Sequence, residues 1–413
     1  MQRRVVITGL GIISCVGLDK ETFWKNVSEG KSGISRIESF DTDGFSVQIA
    51  GEIKNFNSED YGINKKEARR MDRYVQFALA GASDAVKDSK IDFENEDKDR
   101  VGVIIGSGVG GMHTLEAQLK ILGELGPSKV SPFYIPMMIS NMASGNIAIK
   151  YGLRGPNYAV ASACATSLHA IADCYRIIKS DEADIMLAGG AEATVTPSSV
   201  AGFANMKATT ASHNDSPETA SRPFDSKRDG FVMAEGSAVL VLEELEHALK
   251  RNATIYAELV GCGLTCDAHH ITNPSPEGAA SAMRIAMKSA NISVEDVDYI
   301  NVHGTSTPLG DKSEVTAIKS VFGDRAYQIP ISASKSVLGH SLGASGAIES
   351  VACLMAIQNG VIPPTANYEF PDPDCDLNCV PNVAIKKDLK YVLKNSFGFG
   401  GQNAVLVFKK YES

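Results

Sequence analysis

The chain has 413 residues, with 40 Lys and Arg against 49 Asp and Glu, and a formal net charge of −9. That acidic balance argues against nucleic acid as a main partner, while 44% apolar and 22% charged residues are enough for an ordinary globular protein with a sizeable core. Eight irregularly spaced cysteines are too few for a disulfide framework, so a reducing, cytoplasmic setting is expected.

The opening "MQRRVVITGLGIISCVG" superficially resembles a lipoprotein signal, but Gly9 and Gly11 interrupt the apolar run. It reads better as a buried strand ending in a glycine turn. No later segment offers the roughly 18–20 unbroken apolar residues of a membrane span, so no membrane partner is expected. "KKEARRMDR" puts Lys66, Arg69, Arg70 and Arg73 at i, i+3, i+4 and i+7, a basic helical face on an acidic chain. Read alone, such a face is a solvated surface.

"RVGVIIG" predicts a strand that runs into "GSGVGG" at 106–111, a G-x-G-x-x-G match. A dinucleotide site also needs an acidic residue at a strand end about 20 positions on, which is missing, so nucleotide binding is disfavoured. The strand "YAVASA" then gives way at Cys164 to a helix with apolar residues at Leu168, Ile171, Ala172, Tyr175 and Ile178. A buried cysteine is ordinarily a packing residue. At a helix N-terminus, however, the partial positive charge favours the thiolate, and free N–H groups face any acyl oxyanion formed on the sulfur.

Strands "DIMLAGG" and "SAVLVLEE" and the helical "LEELEHALKR" close the first half. In the second, "CGLTCDAHH" (Cys262, Cys266, His269, His270) suggests zinc, but its spacing is loose and Cys375 and Cys379 are remote, so no metal is expected. His303 ends the strand "YINV", and His340 sits in "SKSVLGHSLGASG", both in strand-exit loops where α/β proteins place reacting groups. His113, His213 and His247 have structural contexts. Glu349 falls inside the apolar helix "GAIESVACLMAI", where a carboxylate needs a partner; Lys335, after "IPISAS", is the candidate. "NSFGFGGQN" (395–403) is a glycine-rich loop ahead of the last strand.

Alternating strands and helices make this an α/β chain. "RVVITGLG" is echoed by "YAELVGCG", "VGVIIGSG" by "DYINVHGT" and "GSAVLVLEE" by "QNAVLVFKK", in the same order. The echo predicts two similar halves, 1–254 and 255–413, with the helices after Cys164 and around Glu349 buried between two sheets. The result is a five-layer αβαβα arrangement.

"GPNYAVASACATSLHAI", "NVHGTSTPLGD", "SKSVLGHSLGASGAIE" and "NSFGFGGQNAVLV" together resemble the active-site motifs of the beta-ketoacyl synthases, and "SRPFDSKRDGFVMAEGSAVLVLEELEHALKR" extends the match across the chain. The resemblance implies the thiolase-like duplicated fold, a homodimer, acyl carrier protein as partner, and decarboxylative condensation with no cofactor. One cysteine with two histidines matches the elongating class. It further implies Cys164 as nucleophile, His303 and His340 as enolate-stabilising groups, Lys335 and Glu349 as a supporting ion pair, and Phe399 as gate and oxyanion donor. Thr305 and Thr307 would bind the pantetheine arm, Thr272 would contact the substrate, Val109 would line the acyl tunnel, and Lys66, Arg69, Arg70 and Lys207 would dock the carrier.

Overall fold

The computed structural model describes residues 3–412. Ten strands form its main sheet: β1 (Val5–Ser14), β2 (Val101–Gly106), β3 (Asn157–Tyr158), β4 (Ile185–Glu192), β5 (Gly236–Glu244), β6 (Ala257–Cys266), β7 (Tyr299–Asn301), β8 (Ile331–Ser332), β9 (Tyr391–Gly398) and β10 (Gln402–Lys409). Six helices matter most: α1 (Arg73–Ser89), α2 (Met112–Leu125), α3 (Thr166–Lys179), α4 (Pro276–Ser289), α5 (Pro308–Phe322) and α6 (Ser345–Asn359).

The strand order is β8-β7-β9-β10-β6-β1-β5-β4-β2-β3. Counted outward from the centre, both sides run first, fifth, fourth, second, third. The two runs meet where Val5–Ile7 of β1 pairs antiparallel with 257–259 of β6. The opening segment is thus a fully buried strand.

The sequence echo now has a physical cause. α1 backs so closely onto β1 that a Cβ at Gly9 or Gly11 would lie 2.3 Å from the Ala85 carbonyl oxygen or 1.8 Å from that of Gly81. α4 does the same to β6, where a Cβ at Gly261 or Gly263 would meet the carbonyl oxygens of Ala286 and Ala282 at 2.6 and 2.0 Å. The repeated glycines are the positions at which a helix rests on bare strand backbone.

α3 and α6 lie between the two half-sheets. α3 packs on β2 and β4 and reaches β6 and β10; α6 packs on α3, β5 and β9. α6 buries residues on all sides, Glu349 among them. Outer helices α1 on one side and α4 with α5 on the other complete five layers. Among the described residues no helix is long and apolar enough to cross a membrane.

Candidate active site

Cys164 stands in a single 3-10 turn, Ala163–Ala165, that runs directly into α3. Ala163 takes a positive φ of 48°, a conformation that side chains other than glycine adopt only under constraint. The Thr166 hydroxyl fixes the turn by donating to the Ala163 carbonyl at 2.7 Å and accepting from the Ser162 N–H at 2.8 Å. Cys164 is buried. Burial pushes its thiol up to about 11, opposed by the Lys335 charge and by the N–H groups of Phe399 and of Cys164 itself, which hydrogen-bond the sulfur. The expectation of a ready thiolate is therefore corrected: the helix-start N–H groups are present, but desolvation outweighs them.

His303 follows β7 and His340 precedes α6. Cys164 Sγ and one ring nitrogen from each histidine all lie within 4.8 Å of one another. The two imidazoles meet edge to face, with centroids 5.4 Å apart. His340 Nδ1 pairs with Ser345 Oγ at 2.8 Å, leaving Nε2 for the cysteine side. Burial first, and then the charge of Lys335, holds both histidines well below the usual imidazole range, so both are neutral at neutral pH.

Lys335 and Glu349 form the pair that the sequence suggests, with Nζ 2.7 and 2.9 Å from the two carboxylate oxygens. Lys335 also donates to the His303 carbonyl at 2.7 Å, which ties the pair to the histidine backbone. Three charged residues of this centre escaped the sequence reading. Glu314 on α5 accepts from the N–H groups of His303 and Gly304, both at 2.9 Å. Lys394 on β9 contacts Glu349 at 2.8 Å. Glu192, at the end of β4, accepts from Gly108, Val109 and Gly343 N–H groups at 2.8, 3.2 and 3.0 Å and from Ser107 Oγ at 2.8 Å. The glycine-rich loop at 106–111 thus holds an anion, but it is the protein's own carboxylate. The available signal was a charge ending or interrupting an otherwise apolar strand, as in "IMLAGGAE" and "YVLKN".

A cavity of about 500 Å³ leads from the surface to Cys164, His303 and His340. Thr305 and Thr307 line it, with their hydroxyls 3.0 Å apart, and so do Val109, Thr272, Phe399 and, at the rim, Lys207. Phe399 lies in the turn joining β9 to β10, beside Gly400 and Gly401, both with positive φ.

The basic stretch is not the continuous helical face that its spacing predicts. A one-turn helix covers Lys65–Ala68, and Asp72 then caps a new helix, α1, by accepting from Tyr74 N–H. Arg73 turns inward, donating to Glu235 at 3.0 Å and to the Ile53 carbonyl at 2.8 Å. Lys66, Arg69 and Arg70 stay exposed, with the Arg70 guanidinium 4.7 Å over the Phe133 ring. Cys262, Cys266, His269 and His270 do not converge: among the described residues, Cys164, His303 and His340 are the one cluster of this kind.

A family model described as the beta-ketoacyl synthase N-terminal domain matches residues 2–248, and the corresponding C-terminal domain matches residues 256–369. The chain belongs to the beta-ketoacyl synthase family. It is 50% identical over 413 residues to the 3-oxoacyl-[acyl-carrier-protein] synthase 2 of Staphylococcus aureus (strain N315), covering 100% of this chain and 99% of that one. Among solved structures, the ishigamide ketosynthase/chain length factor superposes with a TM-score of 0.94 at 37% identity, covering 100% of both chains. A type II PKS acyl-carrier protein in complex with its ketosynthase bound to the hexaketide gives 0.93 at 36% identity, again over 100% of both chains. The thiolase-like five-layer fold of these synthases is the fold of this chain.

Proposed function

We propose that this beta-ketoacyl synthase is a 3-oxoacyl-[acyl-carrier-protein] synthase of the elongating class. It takes an acyl chain from acyl carrier protein onto Cys164 and condenses it with malonyl-carrier protein in fatty acid elongation. The observation that carries this reading is a buried thiol facing two neutral imidazoles and two backbone N–H groups at the floor of one cavity.

Cys164 adds to the acyl thioester carbonyl. Its proton passes to a neighbouring neutral imidazole and on to the departing pantetheine sulfur, while the N–H groups of Cys164 and Phe399 hold the tetrahedral oxyanion. When malonyl thioester enters, His303 and His340 donate Nε2–H to its carbonyl oxygen. The bond to the carboxylate breaks, carbon dioxide leaves, and the electron pair becomes an enolate. The enolate carbon attacks the acyl-cysteine carbonyl, the C–S bond breaks, and Cys164 regains a proton from solvent. Neutral histidines suit this role because a neutral N–H donor stabilises the enolate without protonating its carbon.

Thr305, Thr307 and Thr272 line the path of the pantetheine arm, Val109 lies where a growing chain would run, and Phe399 gates the turn. Exposed Lys66, Arg69, Arg70 and Lys207 supply positive charge for an acidic carrier protein. Homodimerisation is supported by the β3 edge strand, whose Tyr158 is exposed, and by the exposed Leu119, Leu122, Leu125, Phe133 and Ile135 nearby in sequence. Division into 1–254 and 255–413 is supported by the repeated strand order, and a cytoplasmic setting by eight free cysteines.

The test is a product assay with purified acyl- and malonyl-carrier protein. A 3-oxoacyl product two carbons longer, with carbon dioxide released, supports the reading. Repeated unreduced condensation that needs a second subunit would instead make the chain a polyketide ketosynthase subunit.

A further inference from the structure

Lys394 lies in the middle of β9, fully buried, and no step above uses it. Its Nζ contacts Glu349 Oε2 at 2.8 Å and donates to the carbonyls of Asn395 at 2.6 Å and Val302 at 3.3 Å. Lys335 holds the same carboxylate and the next carbonyl along, that of His303. On the other side of this turn the N–H groups of His303 and Gly304 are bound by Glu314, which Asn395 Nδ2 also reaches at 3.1 Å. The run 302–304 is therefore clamped by two ammonium groups at its carbonyls and a carboxylate at its N–H groups, while Glu349 bridges the ammoniums.

The formal charges of Lys335, Lys394, Glu314 and Glu349 cancel. In a water-free interior an uncancelled charge is relieved by proton uptake or loss at the nearest titratable group. The groups facing this quartet are His303, His340 and Cys164 on the cavity side, Cys353 and Tyr299 behind, and, beside Glu314, Asp311, which is itself paired with Arg228 at 3.5 Å.

We propose that Lys394 is a positioning residue for His303: its ammonium cancels the second buried carboxylate and fixes the Val302 carbonyl, so that His303 meets Cys164 as a neutral imidazole. The consequence for rate rests on the condensing reaction proposed above; the charge balance belongs to the free protein. Lys394 is also the register neighbour of Asn301 on β7, whose buried Oδ1 has no partner. Truncating Lys394 to alanine would leave a space edged by a carboxylate, two carbonyls and, in the adjacent register position, that amide oxygen. Such a set suits a small cation.

The experiment follows the His303 imidazole by NMR in labelled, substrate-free protein, with assignment from His303→Asn, for wild type, Lys394→Met and Lys394→Gln. Glutamine keeps a donor for the carbonyls and carries the test if the methionine variant does not fold. The expected result is a His303 titration midpoint raised by about one pH unit or more, since the quartet is left with a net negative charge. The acid limb of the condensation rate would then move to higher pH by the same amount as the midpoint, and ammonium chloride would restore Lys394→Ala more than the same concentration of tetramethylammonium chloride. An unchanged midpoint in a folded variant overturns the proposal, as does an acid limb of the activity profile that stays where it lies in wild type. Because the titration uses no substrate, its outcome is independent of whether the wild type condenses malonyl thioesters.

Discussion

Two turns of the molecule share one backbone design and hold different anions. Ala163-Cys164-Ala165 before α3 and Leu342-Gly343-Ala344 before α6 are both 3-10 turns running straight into a central helix. Each starts on a non-glycine residue with positive φ, 48° at Ala163 and 44° at Leu342. That geometry costs on the order of 1–2 kcal/mol per site, and the fold tolerates it twice. The middle residues differ. Gly343 points its N–H at Glu192 Oε2, 3.0 Å away, so its anion is a permanent part of the protein. The N–H groups around Cys164 meet only a thiol at rest, which leaves them for an oxyanion that the reaction makes and removes. Duplication supplied the geometry; the side chain at one position decides which copy is structural and which is chemical.

The largest effect that would break this comparison concerns the state of the sulfur. With its pKa at about 11, Cys164 gains thiolate tenfold per pH unit below that value, so alkylation by iodoacetamide should accelerate about a hundredfold from pH 7 to pH 9. A plateau beginning near pH 7 would mean an ion-paired thiolate and a site unlike the one described. Next comes the structural copy. A Cβ at Gly343 would stand 2.5 Å from the Gly108 nitrogen and 2.6 Å from Glu192 Oε2. Gly343→Ala should therefore destabilise the protein by about 1–3 kcal/mol in denaturant unfolding. A neutral effect would show that the Glu192 anchor is loose.

The smallest effect is at the surface. Arg70→Glu should raise KM for carrier-bound substrates a few-fold at low salt and lose that penalty at high salt, because exposed charges are screened. An equal change for carrier-free thioesters would remove the docking role.

Chemistry placed just ahead of a helix was legible in the sequence, although "YAVASA" is strand only at Tyr158 and a one-turn helix, Lys335–Leu338, stands between β8 and His340. Cys164, His303 and His340 each follow an apolar run and precede a helical one, and Glu349 in an apolar helix demanded a cation. What stayed hidden depends on contacts distant in sequence. Glu192 meets Gly343 across 151 positions, and Lys394 shares Glu349 with Lys335 because α6 packs on β9. The basic stretch misled for a local reason: the first helix stops at Ala68, and Asp72, read as one more residue of a helix, is the N-cap that starts a new one. The thiol misled for a tertiary one, since position at a helix start is visible in a sequence and desolvation is not.

The most direct measurement is intact mass after incubation with a long-chain acyl-carrier protein, comparing wild type with Cys164→Ala. The account predicts one acyl adduct per wild-type chain, discharged by malonyl-carrier protein, and none on the variant. An equal adduct on the alanine variant, or none on wild type with any chain length, would contradict Cys164 as the nucleophile.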